Sequence, residues 1–295
     1  MNGPVTLVAG EDRVTIDPAA GGRLTSFVAG GRERLLTAPG DPSDVDQRRS
    51  GWGCFLMAPW VGRLAQARLP DGRTVPATCG AHAIHGTALD VPWSVTGPAP
   101  GPAPEPPTSA RLTCELSGGG WPWSASVDVE ARIRPGELEL VVTLTAHEGP
   151  MPAAVGWHPW FARPNTGDVA LELAAERVLV TDGELLPDGT AAPAEGALDL
   201  RDAPPLGARR LDDCFIDVAE PARVRWPDLV LDLAMGAEVY VVHTPAHGFC
   251  VEPQTAWPDA ANLSAAGVPG TGHAQLAAGE QLTTTTRWVW QEVPG

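Results

Sequence analysis

The sequence predicts an all-β protein, built as a large antiparallel β-sandwich with few short helices. Three observations carry that expectation. Apolar residues recur at every second position in several runs, the period of a strand with one buried face. Helical stripes at i, i+3 and i+4 are scarce. Glycine (33) and proline (31) make up over a fifth of the 295 residues, spread along the chain as turn punctuation. Short strands between frequent turns are the signature of a sandwich.

The clearest strand starts at Glu137, where Leu138, Leu140, Val142 and Leu144 alternate with Glu139, Val141, Thr143 and Thr145. A second lies near the end, where Leu282, Thr284, Thr286, Trp288 and Trp290 share one face. Further strands are expected over 4–8, 12–16, 23–28, 110–116, 123–132, 168–173, 222–226, 229–233, 238–243 and 248–252. The stretch GPAPGPAPEP opens a Pro-rich loop over 97–109. Proline fixes φ and cannot donate to a ladder, so this segment reads as an exposed stiff insertion. The pattern is the same on both sides of it, which favours a single domain spanning 1–295. A chain of this size buries roughly 70–75% of the surface its unfolded form exposes, enough for a core without disulfides.

Charge removes several function classes. Asp and Glu number 36 and all twenty basic residues are arginine, a formal net charge of −16. Such a surface repels phosphate backbones and anionic lipid, so neither nucleic acid nor membrane is an expected partner. Without lysine there is no Schiff base and no P-loop lysine. The five cysteines (Cys54, Cys79, Cys114, Cys214, Cys250) are widely spaced and form no C-x-x-C. Buried reduced thiols in a cytoplasmic protein are the expected reading, with no zinc site. The N-terminal residues lack the pattern of a secretory signal, and no apolar run approaches the ~18 residues of a membrane span.

Five segments set a polar residue among Gly, Pro and aromatics. In GWGCFLMAPWVGRLAQARL (51–69), Arg63 follows an apolar run and needs a carboxylate or a hydroxylated ligand; packing over a turn is the alternative. In GAHAIHGTALDVPW (80–93), His82 and His85 lie three apart, but no third ligand completes a metal site nearby. In VGWHPWF (155–161), His158 is hemmed by Trp157, Pro159, Trp160 and Phe161. It reads either as a hydrogen-bonded histidine in an aromatic core or as a fixed imidazole for proton transfer, beside indoles that suit sugar C–H faces. Asp212 and Asp213 in LDDCFID (211–217) read as a turn or solvated edge. In HGFCVEPQTAWPDAANL (247–263), Glu252 follows three apolar residues, where desolvation raises a carboxyl pKa toward that of a useful base. Gln254, Asp259 and Asn262 add hydrogen-bonding groups there.

In this order the segments resemble the aldose 1-epimerase (galactose mutarotase) family. The matching stretches are GGRLTSFVAGGRERLLT (21–37), APWVGRLA (58–65), HAIHG (82–86), GWHPWF (156–161), DDCF (212–215) and FCVEPQTAWPDAANL (249–263). The resemblance implies a galactose mutarotase-like supersandwich, no metal and no organic cofactor. It implies interconversion of the α and β anomers of a free aldohexose by ring opening and closure. Carried over by motif, Glu252 is the general base and His158 the general acid. His85, Arg63, Asp212, Trp160 and Gln254 bind the sugar. A small-molecule sugar is the expected partner, and the chain is expected as a monomer or a weak homodimer. The sequence departs from the family at Trp160, where Tyr is frequent, and at Ala256-Trp257, where Gly-Pro is frequent; both are expected near the pocket. A hexose-6-phosphate 1-epimerase, kept open by Arg209 and Arg210, and a non-catalytic carbohydrate-binding sandwich are the alternatives. The chemistry calls for Glu⁻ and His⁺ to coexist near neutrality, reached by modest shifts and mutual attraction. It also places a hexose ring between the two side chains.

Overall fold

The structure is a computed structural model that describes residues 3–38, 49, 51–97 and 106–293. Most of the expected Pro-rich loop, residues 98–105, lies outside the described residues. The chain resumes its pattern in the strand Ser109–Glu115.

The two strongest alternations are strands, Glu137–Ala146 and Gln281–Glu292. They pair with each other, Leu140 opposite Thr286 and Leu138 opposite Trp288. Ala125–Arg134 and Ser109–Glu115 continue this layer on one side. Leu229–Ala234 joins it on the other, pairing Leu231 with Trp290. A second layer runs from Asp12–Asp17 through Arg23–Ala29, Cys54–Met57, Gly156–Phe161 and Phe249–Gln254 to Val239–His243. All these pairings are antiparallel.

One long strand, Asp212–Arg225, connects the layers. Its first residues pair with Val239–His243, and its last, Ala222 to Arg225, with Leu229–Ala234. The expectation for this region was a strand over 222–226 only. The longer strands absent from the sequence expectation are Cys54–Met57, Gly156–Phe161 and Pro187–Pro193, beside several of two or three residues. The first two are buried on nearly every residue, so they show no alternation to read.

That burial has a cause. One face of the second layer, with Leu56, Trp157, Phe215, Tyr240 and Val251, packs into the main core. The other face carries Phe55, Met57, Cys214, Ile216 and Val239 into a second, smaller cluster with Leu179, Trp257 and Leu263. The main core is aromatic where the layers meet. Trp288 packs against Phe27 at 5.1 Å and Phe161 at 5.6 Å between ring centroids. The one α-helix among the described residues is the short Ala260–Ala265. No helix among them is long and apolar enough to cross a membrane.

Candidate active site

Strand register builds the site. In the second layer Gly156 faces Gln254 and Trp160 faces Cys250, so His158 and Glu252 lie between those pairs on neighbouring strands. His158 is also paired with Phe55, and Glu252 with Val241, which in turn faces Cys214. These residues form one row across five strands. The next row along holds Trp160, Cys250, His243 and Asp212. Residues nearly a hundred positions apart become neighbours through pairing alone.

Above these rows lies a cleft of about 280 Å³. One wall is polar, with Arg63, His85, His158, Asp212, His243 and Glu252. The other is largely apolar, with Leu179, Leu185, Pro187 and Pro258 among its residues. Loops bring in the groups the strands do not. Arg63 opposes Ile84 in a two-strand ribbon, which sets Arg63 and His85 at one rim. His85 has φ 64°, a left-handed conformation uncommon for a residue with a side chain. Gly86 beside it must be glycine, because a Cβ there would lie 2.0 Å from the Ala58 carbonyl oxygen. Arg49 holds this turn, donating from Nη1 to the Ile84 carbonyl at 2.8 Å and from Nη2 to the Gly86 carbonyl at 3.2 Å. It also pairs with Asp90.

His158 Nε2 lies 3.3 Å from Glu252 Oε1, and the two residues are 5% and 2% exposed. Three rings wall in the imidazole: Phe55 at 4.6 Å, His85 at 4.8 Å edge-on, and Trp160 stacked at 5.3 Å. Behind Phe55 sits the buried Arg23 guanidinium, 4.8 Å from the ring centre. Burial dominates the electrostatics. It pushes the Glu252 carboxyl well above the usual carboxylate range, with Asp212 adding to the rise and Arg63 opposing it. It pushes the His158 imidazole well below its usual value, helped by His85, His243 and Arg23. His85 is pushed down to about 3 by burial, then by Arg49, Arg63 and His243.

Both halves of the central pair are therefore driven toward neutral forms. The expected carboxylate–imidazolium pair with modest shifts is not what this environment favours, because desolvation outweighs the attraction between partners. Nor is there room for a hexose ring between side chains 3.3 Å apart. A ligand in the cleft meets the pair along its exposed edge.

The structure brings His85, Arg63, Asp212, Trp160, His158 and Glu252 to one cleft, and Asp213 lines it as well. Among the described residues no carboxylate lies within ion-pair distance of Arg63, whereas Asp212 Oδ2 lies 3.5 Å from His243 Nδ1. Gln254 is fully buried with its Nε2 3.9 Å from Cys214 Sγ, and it does not line the cleft. Trp160 lies parallel to both His158 and His247, at 5.3 and 5.6 Å, so its ring is engaged with imidazoles. Trp257 does not line the cleft itself but packs in the second hydrophobic cluster with the cleft-lining Leu179 and Cys214, next to Pro258 of the cleft wall. Asp259 and Asn262 are structural: Asp259 Oδ1 accepts from the Ala65 N–H and from Asn262 Nδ2, which also donates to the Arg68 carbonyl. His82 likewise accepts the Gln66 N–H at Nδ1. Sequence reasoning missed His243, Arg49 and the hairpin wall at Leu179–Pro187. His243 ends an apolar run with no local signal, and only its place opposite Cys250 and Asp212 reveals it.

Among the described residues the group able to hold a metal ion is His158, Cys250 and Glu252, not the His82–His85 pair tested by spacing.

A large curled antiparallel sheet with few helices is the galactose mutarotase-like sandwich fold. The chain belongs to the aldose 1-epimerase family, whose model matches residues 5–288. No curated protein matches it by sequence. Among solved structures it is similar to a galactose mutarotase-like protein from Clostridium acetobutylicum, with TM-score 0.84, 15% identity, and coverage of 98% of this chain and 95% of that one. It is also similar to an aldose epimerase homologue from C. elegans, with TM-score 0.82, 16% identity and full coverage of both chains. A galactose 1-epimerase from Lactobacillus acidophilus has TM-score 0.75 at 18% identity, covering 97% of this chain and 93% of that one. At these identities the likeness is one of fold.

Proposed function

We propose that the protein is an aldose 1-epimerase that interconverts the α and β anomers of a neutral free aldohexose. The observation that carries this reading is the His158–Glu252 contact at 3.3 Å, buried yet open to a polar cleft on one edge. Ring opening needs one base at the C1 hydroxyl and one acid at the ring oxygen. A carboxyl–imidazole pair and a carboxylate–imidazolium pair carry the same number of protons. They differ by one proton moved across the contact. Arg63, which favours ionised Glu252, biases the pair toward the charged tautomer that a sugar would use.

Glu252 then takes the C1 hydroxyl proton as His158 gives one to O5. The C1–O5 bond breaks and the aldehyde forms. Rotation about C1–C2 presents the other carbonyl face. The same two groups run in reverse, and the pair ends with the protons it began with. Arg63 and Asp212 hold hydroxyls and His85 meets the ring oxygen, a reading supported by all three lining the cleft and by His85 lying edge-on to His158.

Cleft size and charge support a single uncharged sugar. About 280 Å³ is at the low end for small-molecule pockets. Arg63 is the one guanidinium among the lining residues, against Asp212, Asp213 and Glu252. A sugar phosphate would bring a dianion to that cluster of carboxyls, which disfavours the hexose-6-phosphate alternative.

The test is polarimetry on purified protein with freshly dissolved α-glucose or α-galactose. Glu252→Gln and His158→Asn should each lower the catalysed rate by about 10²–10⁴-fold while leaving the thermal transition in place. Near wild-type rates in either variant would remove that residue from the mechanism. Sugar binding by calorimetry without any anomerisation would instead identify a binding module.

A further inference from the structure

The pairing that joins His158 to Glu252 also carries a third group. The nitrogen of His158, Sγ of Cys250 and a carboxylate oxygen of Glu252 all lie within 4.8 Å of one another, and all three residues are buried. Cys250 and Glu252 are two apart on one strand, so their side chains share a face. His158 approaches from the neighbouring strand. His158 and Glu252 line the cleft, and Cys250 lies just behind them.

These are three unlike ligands of the kind a thiophilic divalent ion selects: thiolate, imidazole and carboxylate. A tetrahedral zinc ion holds such atoms about 3.3–3.6 Å apart, given its usual bond lengths. The His158–Glu252 separation of 3.3 Å already meets that spacing. Charge also balances, since one thiolate and one carboxylate offset a divalent cation and leave the buried site neutral. The excess of carboxyl groups over guanidinium along the cleft draws cations inward.

We propose that His158, Cys250 and Glu252 form an inhibitory site for a thiophilic divalent cation of the zinc class. As the metal binds, two protons leave to solvent: the Cys250 thiol proton, and the one that the His158–Glu252 pair carries, so that thiolate, imidazole and carboxylate all face the ion. Glu252 and His158 spend their lone pairs on the ion. Neither can then exchange protons with a sugar. Inhibition rests on the epimerase reading; metal binding at the cluster stands apart from it.

Cobalt(II) added to chelator-treated protein tests the site without reference to activity. A thiolate-to-cobalt charge-transfer band is expected in the wild type and is expected to vanish in Cys250→Ala. Cys250→Ser, which keeps the side-chain size, guards against a packing defect in the first variant. In the anomerisation assay, zinc should inhibit reversibly and magnesium should not, because magnesium prefers oxygen ligands. Cys250→Ala should keep the basal rate and need about tenfold more zinc, or greater, for half-inhibition. A wild-type cobalt spectrum without the sulfur band, or equal zinc sensitivity in wild type and Cys250→Ala, overturns the proposal. A sulfur band in a wild type that catalyses no anomerisation would sustain the metal site and sink the epimerase reading.

Discussion

His85 holds a left-handed backbone at the rim of the cleft, a conformation costing of order 1–3 kcal/mol that persists only where neighbours over-determine it. Its depressed pKa has a consequence for stability. The unfolded chain takes up a proton near pH 6.5, while the folded chain resists until about 3. Between those values the unfolded state binds more protons, so the contribution of His85 is present above pH 6.5 and is lost as the pH falls toward 3. The slope is at most about 1.4 kcal/mol per pH unit for one proton. His158 acts in the same direction. Glu252 acts oppositely, its raised pKa lowering stability as the pH climbs above the ordinary carboxylate range. His85→Asn should therefore lose less stability than the wild type on acidification from pH 6.5 to 4. Urea midpoints across that range measure it, and parallel curves would mean the imidazole is not the group resisting protonation. At this scale the sequence was legible where chemistry is local. Glu252 after Phe249, Cys250 and Val251 already signalled a desolvated acid. Gln254 misled, because two residues further along the same strand the side chain has run under the cleft into packing with Cys214.

Among elements, the turn around His85 depends on Arg49. Its guanidinium binds the carbonyls on either side of that histidine and the Asp90 carboxylate as well. A hydrogen bond from a charged donor contributes about 1.5–3 kcal/mol. Arg49→Gln should raise KM and lower kcat/KM for anomerisation about tenfold or more, and lower the thermal midpoint by at least a few degrees. Unchanged kinetics would show that the turn holds its shape unaided. Strands split by their legibility in the same physical way. Glu137–Ala146 and Gln281–Glu292 each leave one face partly exposed, so polar residues mark most of the alternate positions, Val141 and Val289 excepted. Cys54–Met57 and Gly156–Phe161 are covered on both faces, and their sequences carry no period.

For the molecule as a whole, the site depends on the two layers staying locked. Trp288, fully buried in the first layer, packs on Phe27 and on Phe161, the last residue of the strand that bears His158. Trp288→Ala should cost about 3–5 kcal/mol of stability by opening a cavity there. Chemical denaturation at neutral pH measures the loss, and a change below 1 kcal/mol, about the size of a surface substitution, would place the interlayer support elsewhere.

By itself, the sequence determined the all-β class, the strongest strands and the segments in which chemistry would gather, because periodicity, turn residues and a desolvated carboxyl are properties of neighbours along the chain. Only the tertiary structure decided which distant residues meet. Pairing between strands set His158 against Glu252 and put Cys250 and His243 beside them, and the burial that comes with it makes both the carboxyl and the imidazole resist their charges. Contact and desolvation depend on what folds over a residue, and no stretch of sequence carries that alone.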